Sequence, residues 1–258
     1  MLKEISHKGL ARMVGTFGTS PIEHETLEII VNAAVEPDRI DKIRFSEDFF
    51  YGIKWLYNHT IGATDLATKF FNKSYDAYIR NDNSWSKELG LAFHFITDWG
   101  TPHHSPTSNS NPVLDFTKAG VKLGGTIGAI FASGTSTLDD LKGFIKGALI
   151  GGGVTGVIGL IILHLAHRNF EIRCDERWKE NLQLIREIFK AKAEHQKIPS
   201  QWDIALDLFE EKMNKLSQLR DNLPVNWIDN CSDIEFAEYM VEIALVMDFV
   251  FKVVIMKR

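Results

Sequence analysis

Glycine is crowded into one stretch of this chain, and that crowding divides it. Of 19 glycines among 258 residues, twelve fall between Gly120 and Gly159. Glycine is costly in a helix interior and permissive in close packing or turns. The window therefore separates a helical N-terminal part from a helical C-terminal part. On either side of it, strand-like alternation is hard to find and helical periodicity is easy to find. The chain reads as all-α. It is a multi-helix domain over residues 20–258, with a Gly-rich apolar helical insertion, residues 112–163, set within it.

The spacing predicts a first helix opening at Ser20-Pro21-Ile22-Glu23 and running to Pro37. Ser20 stands as N-cap, Pro21 takes the first helical position and Glu23 closes a capping box. Further helices are predicted over 46–59, 63–80 and 84–99, the last stopping at Gly100-Thr101-Pro102. Beyond the insertion the pattern predicts helices over 154–197, 200–222 and 232–256.

The insertion is apolar as well as glycine-rich. Residues Leu123 to Leu138 carry no charge, and Gly147 to Ala166 offer only His164 as an ionisable group. A stretch of that length can cross a bilayer, but its glycines lower the hydrophobic gain. Small residues recur four apart, as at Gly120, Gly124 and Gly128, a spacing that lets two helices approach closely. Three readings stay open for residues 120–163: a hairpin buried against the domain or against a second copy in a homodimer, a hairpin that docks on a membrane, and a true span.

Composition narrows the functional classes. Hydrophobic residues at 45% and charged residues at 24% exclude a disordered chain. A net charge of −5 disfavours nucleic-acid binding through a basic surface. Cys174 and Cys231 are too few for a disulfide framework or a thiolate zinc site. Nine histidines and 34 acids leave metal binding through nitrogen and oxygen. Residues 1–25 hold no apolar core of the kind a signal peptide needs, so the expected location is cytoplasmic, with membrane association through the insertion.

The stretch that carries chemistry is Leu89 to Asn109. His94 and Asp98 are four apart on a predicted helix and share one face, within reach of one metal ion. Pro102 ends that helix, and His104 returns to the same face from the following loop. A carboxylate between two histidines can bridge two ions. Past the insertion, His167 and Glu171 repeat the four-residue spacing. His24 lies in the first predicted helix, Asp38 follows Pro37, and His59 closes the second predicted helix.

These residues resemble a family. His94-x3-Asp98-x5-His104, with Pro102 two before the last histidine, is similar to the signature of the zinc-dependent phospholipase C family, which includes related single-strand nucleases and 3′-nucleotidases. Leu89-Gly90-Leu91-Ala92 resembles the approach to the family's first signature histidine. His167-x2-Phe170-Glu171 resembles its downstream His/Glu pair, and Pro37-Asp38 its early ligand segment. His24 is similar to its first-helix ligand. The resemblance covers roughly residues 20–109 and 164–200, in the same order.

The resemblance implies two to three zinc ions held by His24, Asp38, His59, His94, Asp98, His104, His167 and Glu171, with Asp98 bridging and Asp38 and Asp98 as catalytic carboxylates. Glu47 and Asp48 are alternatives to Asp38. Family members also use an N-terminal Trp as a ligand; residues 1–23 here contain none, and His7 is the group that can reach in instead. The implied activity is that of a phosphoric ester hydrolase, in which zinc-activated water attacks a phospholipid phosphodiester. Two alternatives remain: a single-strand nuclease or 3′-nucleotidase, using exposed aromatics such as Trp85, Trp99 or Trp178, and a non-catalytic membrane-associated protein with a residual metal site.

Overall fold

Apolar side chains at helical spacing decide both where the helices form and which faces they bury. The computed structural model describes residues 4–17, 22–38, 62–102, 153–224 and 226–256, with side chains for residues 6 onward except 153–168. In order they form α1 (Glu4–Phe17), α2 (His24–Ala33), α3 (Ala63–Ile79), α4 (Trp85–Gly100), α5 (Gly153–Ala193), α6 (Trp202–Asp221), α7 (Trp227–Asn230) and α8 (Asp233–Ile255). No strand occurs among the described residues, which agrees with the all-α reading. The predicted helix over 46–59, and residues 103–152 of the loop and insertion, lie outside them.

Two elements differ from expectation. The helix predicted from Ser20 begins at His24 instead. Glu23 is its N-cap, with an extended backbone and no side-chain cap hydrogen bond; Ser20 and Pro21 lie outside the described residues. α1 is not among the helices predicted above. It forms because His7, Leu10, Ala11 and Val14 make a buried stripe at i, i+3, i+4 and i+7.

α8 is the axis of the core. A capping box sets its start: Ser232 Oγ accepts from Glu235 N–H, and Glu235 Oε2 accepts from Ser232 N–H at 2.7 Å. From Phe236 to Val254 it is buried almost all round, as befits a helix that is apolar on every side. It packs against α1, α3, α4, α5 and α6. Each fully buried Phe here, such as Phe71, Phe93 or Phe249, contributes about 1.5–3 kcal/mol. Near its end Lys252 Nζ lies 2.7 Å from Asp248 Oδ2 and donates to the Ala193 carbonyl at 2.8 Å, which ties α8 to the C-terminus of α5.

α4 is held at both ends. Its glycine at position 90 lies on the backbone of α2: a Cβ there would sit 2.4 Å from the Ile30 carbonyl oxygen. Its last carbonyls are orphans of the helix terminus and accept from elsewhere. Arg220 Nη1 donates to Trp99 O at 2.7 Å with its guanidinium over the Trp99 ring, and Tyr239 Oη donates to Gly100 O at 2.6 Å. Trp99 Nε1 donates to Met213 O. The helix that carries His94 and Asp98 is thus fixed against α2, α6 and α8.

Gly90→Ala tests this close approach. Because the Ile30 carbonyl is backbone and cannot rotate away, α2 and α4 must separate. The expected cost is about 1–3 kcal/mol, read as a lowered midpoint in thermal or urea unfolding; an unchanged midpoint would show that the helices have room to spare.

Candidate metal centre

Helical spacing puts His94 and Asp98 on one face of α4, and packing buries that face, leaving His94 with no exposure and Asp98 with 1%. His94 Nδ1 lies 3.0 Å from the Ala34 carbonyl oxygen, just past α2. A carbonyl can only accept, so the proton is on Nδ1 and the lone pair of the neutral ring is on Nε2. That nitrogen points at Asp98 Oδ2, 3.0 Å away. Two lone pairs cannot face each other at that distance without a cation between or near them, whether a proton or a metal ion. A histidine whose far nitrogen donates to a backbone carbonyl is also how metal-bound imidazoles are oriented.

The second histidine facing Asp98 is His7, from the buried stripe of α1. Its Nε2 is 3.3 Å from Asp98 Oδ1, and its ring centre is 5.1 Å from that of His94. Its other nitrogen, Nδ1, is buried and has no hydrogen-bond partner among the described residues. The ligand atoms of His7, His94 and Asp98 lie within 4.8 Å of one another. Two imidazoles and a bridging carboxylate are a donor set suited to zinc, and a cation explains why His94 Nε2 and Asp98 Oδ2 face each other. These residues can hold a metal ion.

Two carboxylates stand around this group. Asp38, in the helical turn after α2, has its Oδ1 4.0 Å from His94 Nε2 and is 18% exposed. Glu171, on α5, lines a cavity of about 40 Å³ with His7, Thr97, Gly100, Thr101 and Pro102, room for a water-sized ligand. Burial pushes the His7 pKa down, but its hydrogen bond to Asp98 and the charges of Asp98, Asp38 and Glu171 outweigh it, and the net shift is upward. One turn beyond Glu171, burial raises the Asp175 carboxyl to about 6, against the pull of the Ser6 N–H and of His7.

Not every residue named from the sequence is gathered here. His94, Asp98 and Asp38 come together, with Glu171 nearby. His24 is exposed at the start of α2 and is not in the cluster, whereas His7 is. α5 runs unbroken from Gly153 through His167 and Glu171, so the four-residue spacing of that pair is helical. The His167 side chain lies outside the described residues, as do His59, His104, Glu47 and Asp48. The signal for His7 was its stripe with Leu10, Ala11 and Val14, which marks a buried face but not a ligand.

No protein-family model matches this chain, and no curated protein or solved structure does either.

The raised His7 pKa makes a prediction about pH. Without metal, protonated His7 contributes stability that is fully present below its unfolded pKa near 6.5 and is lost as pH rises through the higher native value. Zinc needs the neutral ring and competes with that proton. The gain in melting temperature from saturating zinc should therefore be small at about pH 6 and grow toward about pH 8. A gain that does not change with pH would exclude imidazole ligands.

Proposed function

We propose that this chain is a zinc-dependent phosphoric ester hydrolase of the phospholipase C type, acting on a phospholipid phosphodiester. The observation that carries this reading is Asp98: a buried carboxylate that turns one oxygen to His7 and the other to His94. In this reading His59, His104 and His167 join His7, Asp38, His94, Asp98 and Glu171 as ligands of two to three ions.

Bound zinc would supply Lewis-acid stabilisation of the phosphodiester and an acidified water. The protein's own groups then divide the work. Ala34 O fixes the His94 ring so that Nε2 faces the carboxylates. Asp98 is too buried to meet substrate; its charge holds the two imidazoles in register. Asp38 is more exposed than Asp98, so in this reading it takes the proton that the attacking water releases. Gly100, Thr101 and Pro102 wall the small cavity beside Glu171.

A lipid substrate is favoured over a nucleic acid by where two of the three candidate tryptophans, Trp99 and Trp178, lie. Base stacking needs an open aromatic face beside the metals. Trp178 is 3% exposed, and the ring of Trp99 lies under Arg220. No helix among the described residues is long and apolar enough to cross a membrane. The insertion feeds into α5 and so toward His167 and Glu171. In this reading residues 120–163 bring a cytoplasmic enzyme to a membrane surface, or join two copies.

The test is zinc per chain by elemental analysis, followed by hydrolysis of bis(4-nitrophenyl) phosphate with and without chelator. Phosphatidylcholine and single-stranded DNA are then compared as substrates. Asp98→Asn keeps the shape but removes the bridging charge, and should lower both zinc content and turnover, the latter by more than about 100-fold. An Asp98→Asn protein that keeps its zinc and its activity overturns the assignment, and turnover untouched by chelator overturns the metal mechanism.

A further inference from the structure

His7 reaches Asp98 from a helix that shares no covalent neighbourhood with α4, so something must set where α1 begins. Asp175 contacts its first turn. It stands on α5, one turn beyond Glu171, and is 1% exposed. Its Oδ1 accepts the backbone N–H of Ser6 at 3.0 Å. α1 starts at Glu4, so that N–H is one of the orphan donors of the first turn, and the carboxylate also meets the positive end of the helix. It is a cap supplied from another element, and it grips the residue next to His7.

A second contact acts in the same place. Gly9 rests on Trp178, three residues beyond Asp175; a Cβ at Gly9 would be 2.5 Å from Trp178 Nε1. Asp175 and Trp178 thus seat the first turns of α1 on α5, on either side of His7. The remaining Asp175 oxygen, Oδ2, is buried without a hydrogen-bond partner among the described residues, so the Ser6 bond is the one that justifies burying this acid there.

We propose that Asp175 is a positioning residue of the metal centre: by holding the Ser6 N–H it fixes the start of α1, and with it the reach of His7 to Asp98. This rests on the reading of His7, His94 and Asp98 as metal ligands. Asp175 itself touches neither substrate nor metal in this proposal.

The test measures zinc affinity of the full-length protein by competition with a chromophoric chelator, beside unfolding of the metal-free form. Asp175→Ala should weaken zinc binding by about 10–100-fold, the range for groups that orient ligands. Asp175→Asn keeps an oxygen for the Ser6 N–H and should bind zinc nearly as the wild type does. Arg12→Ala, which removes the α1 contact to Glu28 at 2.8 Å far from the first turn, should leave zinc affinity unchanged. If Asp175→Ala does not fold, Asp175→Glu serves instead: its extra methylene pushes α1 away while keeping the charge, and should show the same loss. Wild-type affinity in Asp175→Ala overturns the proposal. So does an Asn variant as weak as Ala, or a loss in Arg12→Ala equal to that in Asp175→Ala. A wild type that binds no zinc overturns the metal reading itself, and is told apart because every variant then behaves alike.

Discussion

A carboxylate with 1% exposure is the constraint around which the rest of this structure is arranged. Burying an ionised acid costs several kcal/mol unless it is matched by charge and hydrogen bonds. Asp98 is matched by histidines on two sides, one from its own helix and one from α1. An imidazole offers positive charge only when protonated, or when it shares a cation with the acid. Either a proton or a bound metal ion would therefore balance the group, and the upward shift of His7 reflects the first of them.

The same protein shows what a closed ion pair looks like. Asp248 and Lys252 are also four apart, also buried, and lie 2.7 Å apart. There the partner is an ammonium group, which spends a further hydrogen bond on the end of α5. That pair joins helices. Spacing is common to both pairs; the partner's chemistry separates a structural clip from a site that can take up an ion.

Holding Asp98 and its histidines in register needs many contacts that lie away from them. Ala34 orients His94, which requires α2 and α4 to touch at Gly90. Arg220 and Tyr239 hold the far end of α4. Asp175 and Trp178 seat α1 on α5. Four helices from distant parts of the chain, α1, α2, α4 and α5, thus bring groups to one point, while α8 fills the space behind them.

Much of this was legible in the residues themselves. The α-helical class, the spans of α3 to α6 and α8, and the shared face of His94 and Asp98 follow from local rules, because helical period and capping act over a few residues. So does the end of α4 at Gly100. Other features were decided only by tertiary packing. His7 and His24 both lie on helices near the N-terminus, and nothing local tells a ligand from a surface histidine; α1 buries the first in the core and α2 turns the second to solvent. The tautomer of His94 depends on a carbonyl 60 residues away, and the cap on α1 comes from an acid 169 residues on. Sequence spacing determined which residues could share a helix face. Which faces met, and so which histidine faced Asp98, was settled by long-range burial, whose energy depends on partners that no local pattern names.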